Sequence, residues 1–323
     1  MSQLHAARQP RLLFATRTKR RSRMCCLWPR PTKGAVIDLA ARLRDPAILV
    51  APGVHDPLSA LIAAQAGFEA VFVSGAALAL AQLGSPDVGL LTTTELADHV
   101  ARIADRGSVP VLVDGDQGGG NAAHVQRTVR MIERAGAAAL QIEDQVAVKP
   151  AAAIRTRPPI PAGEMVGKIK AALDARRDPS FLISARTDAL STTGFEDALD
   201  RSEAYVEAGA DLLFVEGVRD RAHADALVAR FASRVPLVCN LLEGSGAPFA
   251  DAADAGAAGH SVALFPVTAL GAAAHAMAAV YRTIAQNGHS GAMRDRITDL
   301  AALNDIVGTA AFAEAIATYG ART

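Results

Sequence analysis

Asp114, Asp116, Glu143, Asp144, Arg186, Asp188, Glu216, Asn240 and Glu243 share one kind of place in the sequence, at or just after the end of a short apolar, β-branched run. Ser74-Gly75 follows another such run. A purely structural strand rarely ends in a carboxylate, because a charge beside a buried run must be solvated or paired. Several carboxylates with no histidine at the same places suit a hard, oxygen-preferring cation such as Mg²⁺, which keeps waters and takes few direct protein ligands. Arg186 is the sole cation at the strand ends themselves. Its planar guanidinium suits a carboxylate or phosphonate held through two parallel hydrogen bonds. A metal and Arg186 together would form an electrophilic pair able to stabilise a developing enolate.

Each residue also has a plainer explanation. A lone aspartate at a strand end is more often a helix N-cap, and Asp188 could cap the helix after it. Ser74-Gly75 could be a turn, Gly118-Gly119-Gly120 a flexible loop, and Cys239 a small buried hydrophobe. Asp114 and Asp116 are two apart, so they share a face only if their strand continues. If it breaks, Asp116 can still reach the same ion through water. The convergence of the whole set is what argues for a site.

The elements that must position these residues repeat from residue 45 onward. Strand-like runs fall at Ala47–Ala51, Ala70–Ser74, Pro110–Asp114, Ala138–Glu143, Phe181–Arg186, Leu212–Glu216, Pro236–Asn240 and Val262–Phe265. Amphipathic, Ala-rich stretches between them predict helices over Pro57–Ala66, Thr94–Asp105, Ala123–Ala135, Ala162–Ala175, Phe195–Ala208 and Ala222–Phe231. Eight apolar strands alternating with helices predict an α/β fold, a (β/α)₈ TIM barrel, whose catalytic groups sit at the C-terminal strand ends. A doubly wound open sheet usually carries a Gly-rich phosphate turn after its first strand. Here that place reads Pro52-Gly53-Val54-His55-Asp56, which lacks the fingerprint.

The organisation read from the sequence is a leader over 1–33, a barrel over 34–285 and a helical extension over 286–323. The leader is basic and acid-free, with Arg11, Arg17, Lys19, Arg20, Arg21 and Arg23 before the first acidic residue, Asp38. It reads as a disordered tail, or as the product of an upstream start codon with the true start near Met24; a transit peptide or a nucleic-acid-binding arm would share its charge. The end of the chain predicts helices over Ala272–Ile284 and Ala310–Tyr319, whose apolar faces need a partner, so a homodimer or homotetramer is expected. Balanced charge gives no electrostatic case for nucleic acid as a partner. No uncharged run reaches the ~20 residues of a membrane span, so no membrane partner is expected. Cys25, Cys26 and Cys239 form neither a disulfide framework nor a zinc spacing, which favours a reducing compartment and a cytoplasmic location.

The stretch from Ala51 to Ala189 resembles the isocitrate lyase/phosphoenolpyruvate mutase superfamily. The segments that carry it are Pro52-Gly53-Val54-His55-Asp56, Val73-Ser74-Gly75-Ala76, Gly84-Ser85-Pro86-Asp87-Val88-Gly89, Val113 to Asn121, Ile142-Glu143-Asp144-Gln145 and Ala185-Arg186-Thr187-Asp188-Ala189. The resemblance implies that Asp114 is the direct Mg²⁺ ligand, with Mn²⁺ a substitute, and that Asp87, Asp116 and Glu143 hold its waters. It implies that Ser74 and the Gly75 backbone bind the carboxylate of a 2-oxo acid, that Arg186 contacts substrate, and that Glu216 and Asn240 surround the leaving portion. It also implies a terminal helix exchanged between subunits, commonly in dimers of dimers.

One departure bears on the chemistry. Lyases of the superfamily carry a Lys-Arg-Cys-Gly-His gate whose Cys protonates the departing enolate. The ungapped counterpart here is Lys149-Pro150-Ala151-Ala152-Ala153, and Ala151 has no proton to give. Decarboxylases of the superfamily dispense with the Cys. The segment Ile154–Pro161, with Arg155 and Arg157, reads as a mobile lid. The expected function is therefore a lyase or decarboxylase cleaving a carbon–carbon bond of a small 2-oxo or 2-hydroxy acid, oxaloacetate-like, through a metal-stabilised enolate. Phosphonopyruvate hydrolase or mutase chemistry, and a non-catalytic 2-oxo acid sensor, are the alternatives.

Overall fold

The computed structural model describes residues 37–146 and 157–320. The basic leader, the gate position Ala151 and Arg155 lie outside the described residues. Eight strands follow one another: β1 (Leu49–Pro52), β2 (Val71–Val73), β3 (Val111–Asp114), β4 (Ala139–Glu143), β5 (Leu182–Thr187), β6 (Leu212–Val215), β7 (Leu237–Asn240) and β8 (Val262–Phe265). Every registered pairing is parallel, in the order β1-β8-β7-β6-β5-β4-β3-β2. A parallel bridge between Gly53 and Phe72 joins the two ends and nearly closes the barrel. Gly53 suits that closure because a Cβ there would stand 2.0 Å from the Pro266 carbonyl oxygen.

A helix follows each strand, over Pro57–Gln65, Thr93–Arg106, Ala122–Arg134, Ala162–Ala175, Phe195–Glu207, Arg221–Phe231, Ala252–Ala257 and Thr268–Asn287. Local chemistry starts many of them. Asp56 and Thr92 build capping boxes, while Asn121, Asp220 and Asp251 accept from first-turn N–H groups. Six of the eight strands begin a residue or two later than the apolar runs suggest, while β6 and β8 begin where expected. At β1 the reason is visible: the Ala47 N–H is taken by Asp45 Oδ1, at 2.9 Å, in a turn. The short helices Leu39–Arg42, Gly75–Leu78 and Ala252–Ala257 are absent from the sequence reading, as is the π-helical turn Ala79–Leu83 that extends the second of them.

Side-chain alternation along the strands divides the core in two. Outward residues such as Val111, Val113, Leu140, Ile142 and Ile183 pack under the helices. Inward residues Leu49, Phe72, Leu112, Ala139, Leu182, Leu212, Val238 and Leu264 fill the barrel. Each buried Val or Leu side chain contributes about 1.5–3 kcal/mol. The same inward parity, continued to the C-terminal ends, reaches Ser74, Asp114, Glu143, Arg186, Glu216 and Asn240. A sheet that buries its apolar residues correctly has no choice but to gather these six at one rim.

The helix Thr268–Asn287 begins four residues before the expected Ala272 and runs across residue 285, to a left-handed cap at Gly288. It buries no residue of its own, and Met277, Tyr281 and Ile284 are exposed. Beyond it, Thr309–Tyr319 returns to the barrel wall, where the Arg106 guanidinium lies over the Phe312 ring and donates to the Val307 carbonyl at 2.9 Å. Gly291–Tyr319 has the length and hydropathy of a membrane span. It is divided into a 3₁₀ turn, Gly291–Arg296, and two helices, Leu300–Ile306 and Thr309–Tyr319.

His260, 7% exposed, stands just before β8 with its ring edge-on to Phe249. Burial pushes its pKa down to about 4, so the folded protein holds it neutral. An unfolded chain protonates it from about pH 6.5 downward. Stability from this residue is therefore complete above pH 6.5 and is lost as the pH falls toward 4. His260→Phe should remove about 2 kcal/mol of the acid-induced destabilisation between pH 7 and 5. Urea unfolding at the two pH values checks this; an equal pH dependence in both proteins would contradict it.

Candidate active site

The strand ends surround a cavity of about 260 Å³ at the barrel mouth. Ser74, Asp87, Asp114, Arg157, Arg186, Asp188, Glu216 and Asn240 are in its lining. Gly75, Asp116 and Glu143 do not line it. They lie immediately behind: a Cβ on Gly75 would be 3.5 Å from Asp114 Oδ2 and 3.7 Å from Asp116 Oδ2.

β3 breaks after Asp114, and Asp116 takes a left-handed conformation with φ 48°. That bend returns the Asp116 carboxylate toward Asp114 although the strand does not continue. Asp114 itself accepts from Gly75 N–H at 3.2 Å, from Gln141 Nε2 at 3.3 Å and from Asp116 N–H at 3.4 Å. Ser74 caps the short helix that begins at Gly75, its Oγ accepting from Ala77 N–H at 3.4 Å, which holds the hydroxyl at the cavity wall.

Arg186, 7% exposed, organises the opposite side. It donates through Nε and Nη2 to both oxygens of Asp188, at 3.2 and 2.9 Å, and its Nη1 lies 2.8 Å from Glu143 Oε1. Glu216 is 3.7 Å away. Burial disfavours the charged guanidinium, yet Asp188, Glu143, Glu216 and Asp114 outweigh it and drive its pKa well above the usual value. Glu143, 1% exposed, is in the reverse position. Desolvation pushes its pKa well up; Arg186 opposes this, and Asp114, Asp188 and Asp116 add to it. Gln145 Nε2 donates to Glu143 Oε2, and also to Asp188 Oδ2 at 3.0 Å.

The expected metal residues are thus neighbours without forming a closed cage. Among the described residues, no three His, Cys, Asp or Glu side chains stand close enough to bind an ion directly. Two arginines explain the spacing. Arg157 Nη2 is 2.9 Å from Asp87 Oδ2, its Nη1 is 3.9 Å from Glu143 Oε2, and Arg186 takes the other Glu143 oxygen. The donor set, carboxylates with no imidazole or thiolate, fits a Mg²⁺-type ion held by one direct ligand and by water-bridged carboxylates. Asp114 would be that ligand, with Asp87, Asp116 and Glu143 behind its waters. On the far wall, Asn240 Nδ2 donates to Glu216 Oε2 at 3.1 Å, and Asn240 Oδ1 has no hydrogen-bond partner among the described residues.

Some contributors, and the roles of others, are not legible in the sequence. Asp188 does not cap the helix after it; its side chain serves Arg186 and Gln145. Gln141 lies two residues before Glu143 on the same inward face, a parity that could have revealed it. Behind the site, fully buried Asp144 accepts from Tyr205 Oη at 2.8 Å, Thr187 Oγ1 at 2.7 Å and Asp188 N–H at 3.0 Å. Arg201 stands 3.4 Å from the same carboxylate. Burial pushes the Asp144 pKa up, and these hydrogen bonds oppose it. Tyr205→Phe should cost about 1–3 kcal/mol by leaving that carboxylate under-satisfied. A urea titration reads it, and a loss below about 0.5 kcal/mol would mean that the network does not hold the Asp188 backbone.

The phosphoenolpyruvate phosphomutase family matches residues 39–285. The 2,3-dimethylmalate lyase of Eubacterium barkeri is 37% identical over 278 residues, covering 84% of this chain and 95% of that protein. The oxaloacetate decarboxylase of Rhodopseudomonas palustris strain BisA53 is 48% identical over 186 residues, 57% of this chain and 63% of that one. A crystal structure of 2,3-dimethylmalate lyase, a PEP mutase/isocitrate lyase superfamily member, superposes with TM-score 0.82 at 32% identity, over 88% of this chain and 96% of the other. Phosphonopyruvate hydrolase in complex with oxalate and Mg²⁺ gives TM-score 0.79 at 30% identity, over 87% and 98%. The chain belongs to the phosphoenolpyruvate phosphomutase family, in the PEP mutase/isocitrate lyase superfamily, and is an enzyme of the carbon–carbon lyase class.

Proposed function

We propose that this enzyme is a Mg²⁺-dependent decarboxylase of an oxaloacetate-like 2-oxo dicarboxylate, with Mn²⁺ able to replace Mg²⁺. The observation that carries the reading is the single cavity facing Ser74, Asp114, Arg186, Glu216 and Asn240 at once. When bound at Asp114, the cation supplies Lewis-acid charge to the 2-oxo acid end. Ser74 and the Gly75 backbone hold the neighbouring carboxylate. Arg186, kept charged by its carboxylates, orients the substrate and faces the negative charge that develops at C2. Glu216 and Asn240 surround the carboxylate that departs. The C3–C4 bond breaks, carbon dioxide leaves, and the electron pair remains as an enolate that takes its proton at C3 from solvent. Ala151 fits this chemistry, since no side-chain acid is required there.

Phosphonopyruvate cleavage is the second reading, favoured by Arg157 at the cavity beside Asp87 and by the likeness to phosphonopyruvate hydrolase. We extend the proposal to assembly: the exposed Met277, Tyr281 and Ile284 of the last barrel helix would be covered by another copy in a homodimer or homotetramer.

The test is pyruvate release with Mg²⁺ from oxaloacetate, 2-methylisocitrate, 2,3-dimethylmalate and phosphonopyruvate. Oxaloacetate should be consumed, oxalate should inhibit, and Asp114→Ala should lower kcat/KM by at least ~100-fold. Phosphate release from phosphonopyruvate alone would install the second reading. Silence on every substrate while oxalate still binds would make the protein a sensor of 2-oxo acids.

A further inference from the structure

A second, narrower cleft opens behind the barrel between β6 and β7. Its origin is a split in the sheet. β6 and β7 are in register only at Leu213–Leu237 and Phe214–Val238. Above that level each strand leans the other way: Glu216 N–H bonds the Thr187 carbonyl of β5 at 3.0 Å, and Leu241 N–H bonds Leu264 of β8 at 2.8 Å. The gap is crossed at the top by the Asn240–Glu216 hydrogen bond. Phe214, Glu216, Gly217, Arg219 and Asn240 line both this cleft and the mouth cavity, so the two spaces meet at that bond.

The walls are mostly apolar, from Leu213, Val218, Leu227, Cys239, Ala247 and Phe249. Two buried polar atoms among its lining residues have no hydrogen-bond partner among the described residues, Asn240 Oδ1 near the opening and His260 Nδ1 beside Phe249. An orphaned polar atom in a buried wall costs free energy unless a ligand or water completes it. His260 is neutral, its pKa pushed down to about 4 by burial, so it suits an apolar or hydroxylated tip better than a carboxylate.

We infer that the β6–β7 cleft is a specificity subsite for an alkyl substituent on C3 of the substrate, making 3-alkyl oxaloacetates better substrates than oxaloacetate itself. The inference rests on the decarboxylase reading. In that reaction the C3 substituent stays with the 2-oxo acid product, so the homologous product series reports directly on the cleft.

The experiment is calorimetric binding, with Mg²⁺, of pyruvate, 2-oxobutanoate, 2-oxopentanoate and 2-oxohexanoate to the whole protein. Dissociation constants should fall roughly fourfold for each added methylene. Ala247→Phe, which fills the cleft from the loop after β7, should abolish the gain and leave oxaloacetate turnover within twofold. Val218→Phe does the same from the β6 side, and if neither variant folds, the series on the unaltered protein decides alone. Pyruvate binding with flat or weakening affinity along the series would overturn the subsite and leave the decarboxylase reading standing. Failure of both pyruvate and oxalate to bind would overturn that reading, and the subsite with it.

Discussion

A guanidinium buried at the mouth of an apolar barrel is tolerable only when carboxylates surround it, and most of this site is arranged around that requirement. Arg186 holds Asp188 with two hydrogen bonds and Glu143 with a third contact. Those carboxylates in turn fix Gln145, and Gln141 links Glu143 to Asp114. Removing one partner of a buried pair typically costs 3–5 kcal/mol, because the other charge is left uncompensated. The cluster is therefore rigid before any substrate arrives, which keeps Arg186 charged and aimed into the cavity.

Glu143 and Asp144 show how one strand end serves two tasks. Alternation sends neighbours to opposite faces. Glu143 enters the barrel, and Asp144 turns outward to meet Tyr205, Thr187 and Arg201. Asp144 never faces the cavity, yet its hold on the Asp188 N–H fixes the residue that neutralises Arg186. The outer face thus provides a positioning layer, and the inner face the chemistry.

The barrel was legible because eight short apolar runs alternate with helix-like stretches, six of the runs ending in a polar residue. Asp114, Glu143, Arg186, Glu216 and Asn240 were legible for the same reason. What was hidden depends on contacts far apart in sequence. Asp188 looks like a helix cap until Arg186 and Gln145 are seen to claim its oxygens. Asp116 looks out of phase until its left-handed backbone returns it to Asp114. Ala252–Ala257 is too short for its periodicity to stand out, and its start is set by Asp251 accepting from Asp254 N–H. The β6–β7 split leaves no trace in composition, since it arises from which neighbour each strand end chooses.

Charge completes the picture of the mouth. Asp87, Asp114, Asp116, Glu143, Asp188 and Glu216 bring six carboxylates, against which the described residues of the mouth set Arg157, Arg186 and Arg219. Desolvation pushes the Glu143 pKa up, Arg186 opposes it, and the neighbouring Asp114, Asp188 and Asp116 add to the rise. A dicarboxylate substrate meets such a mouth as repulsion. Neutralising the excess from within by more arginines would fill the cavity with side chains. On the proposed reading, a small divalent cation would neutralise it without occupying the space the substrate needs, and would favour the charged form of the carboxylates around it. The acidic rim, Arg157 and Arg186 are accordingly one device: the arginines keep the carboxylates together, and on the proposed reading the remaining negative charge is what a hard cation would answer, with an anion binding alongside it.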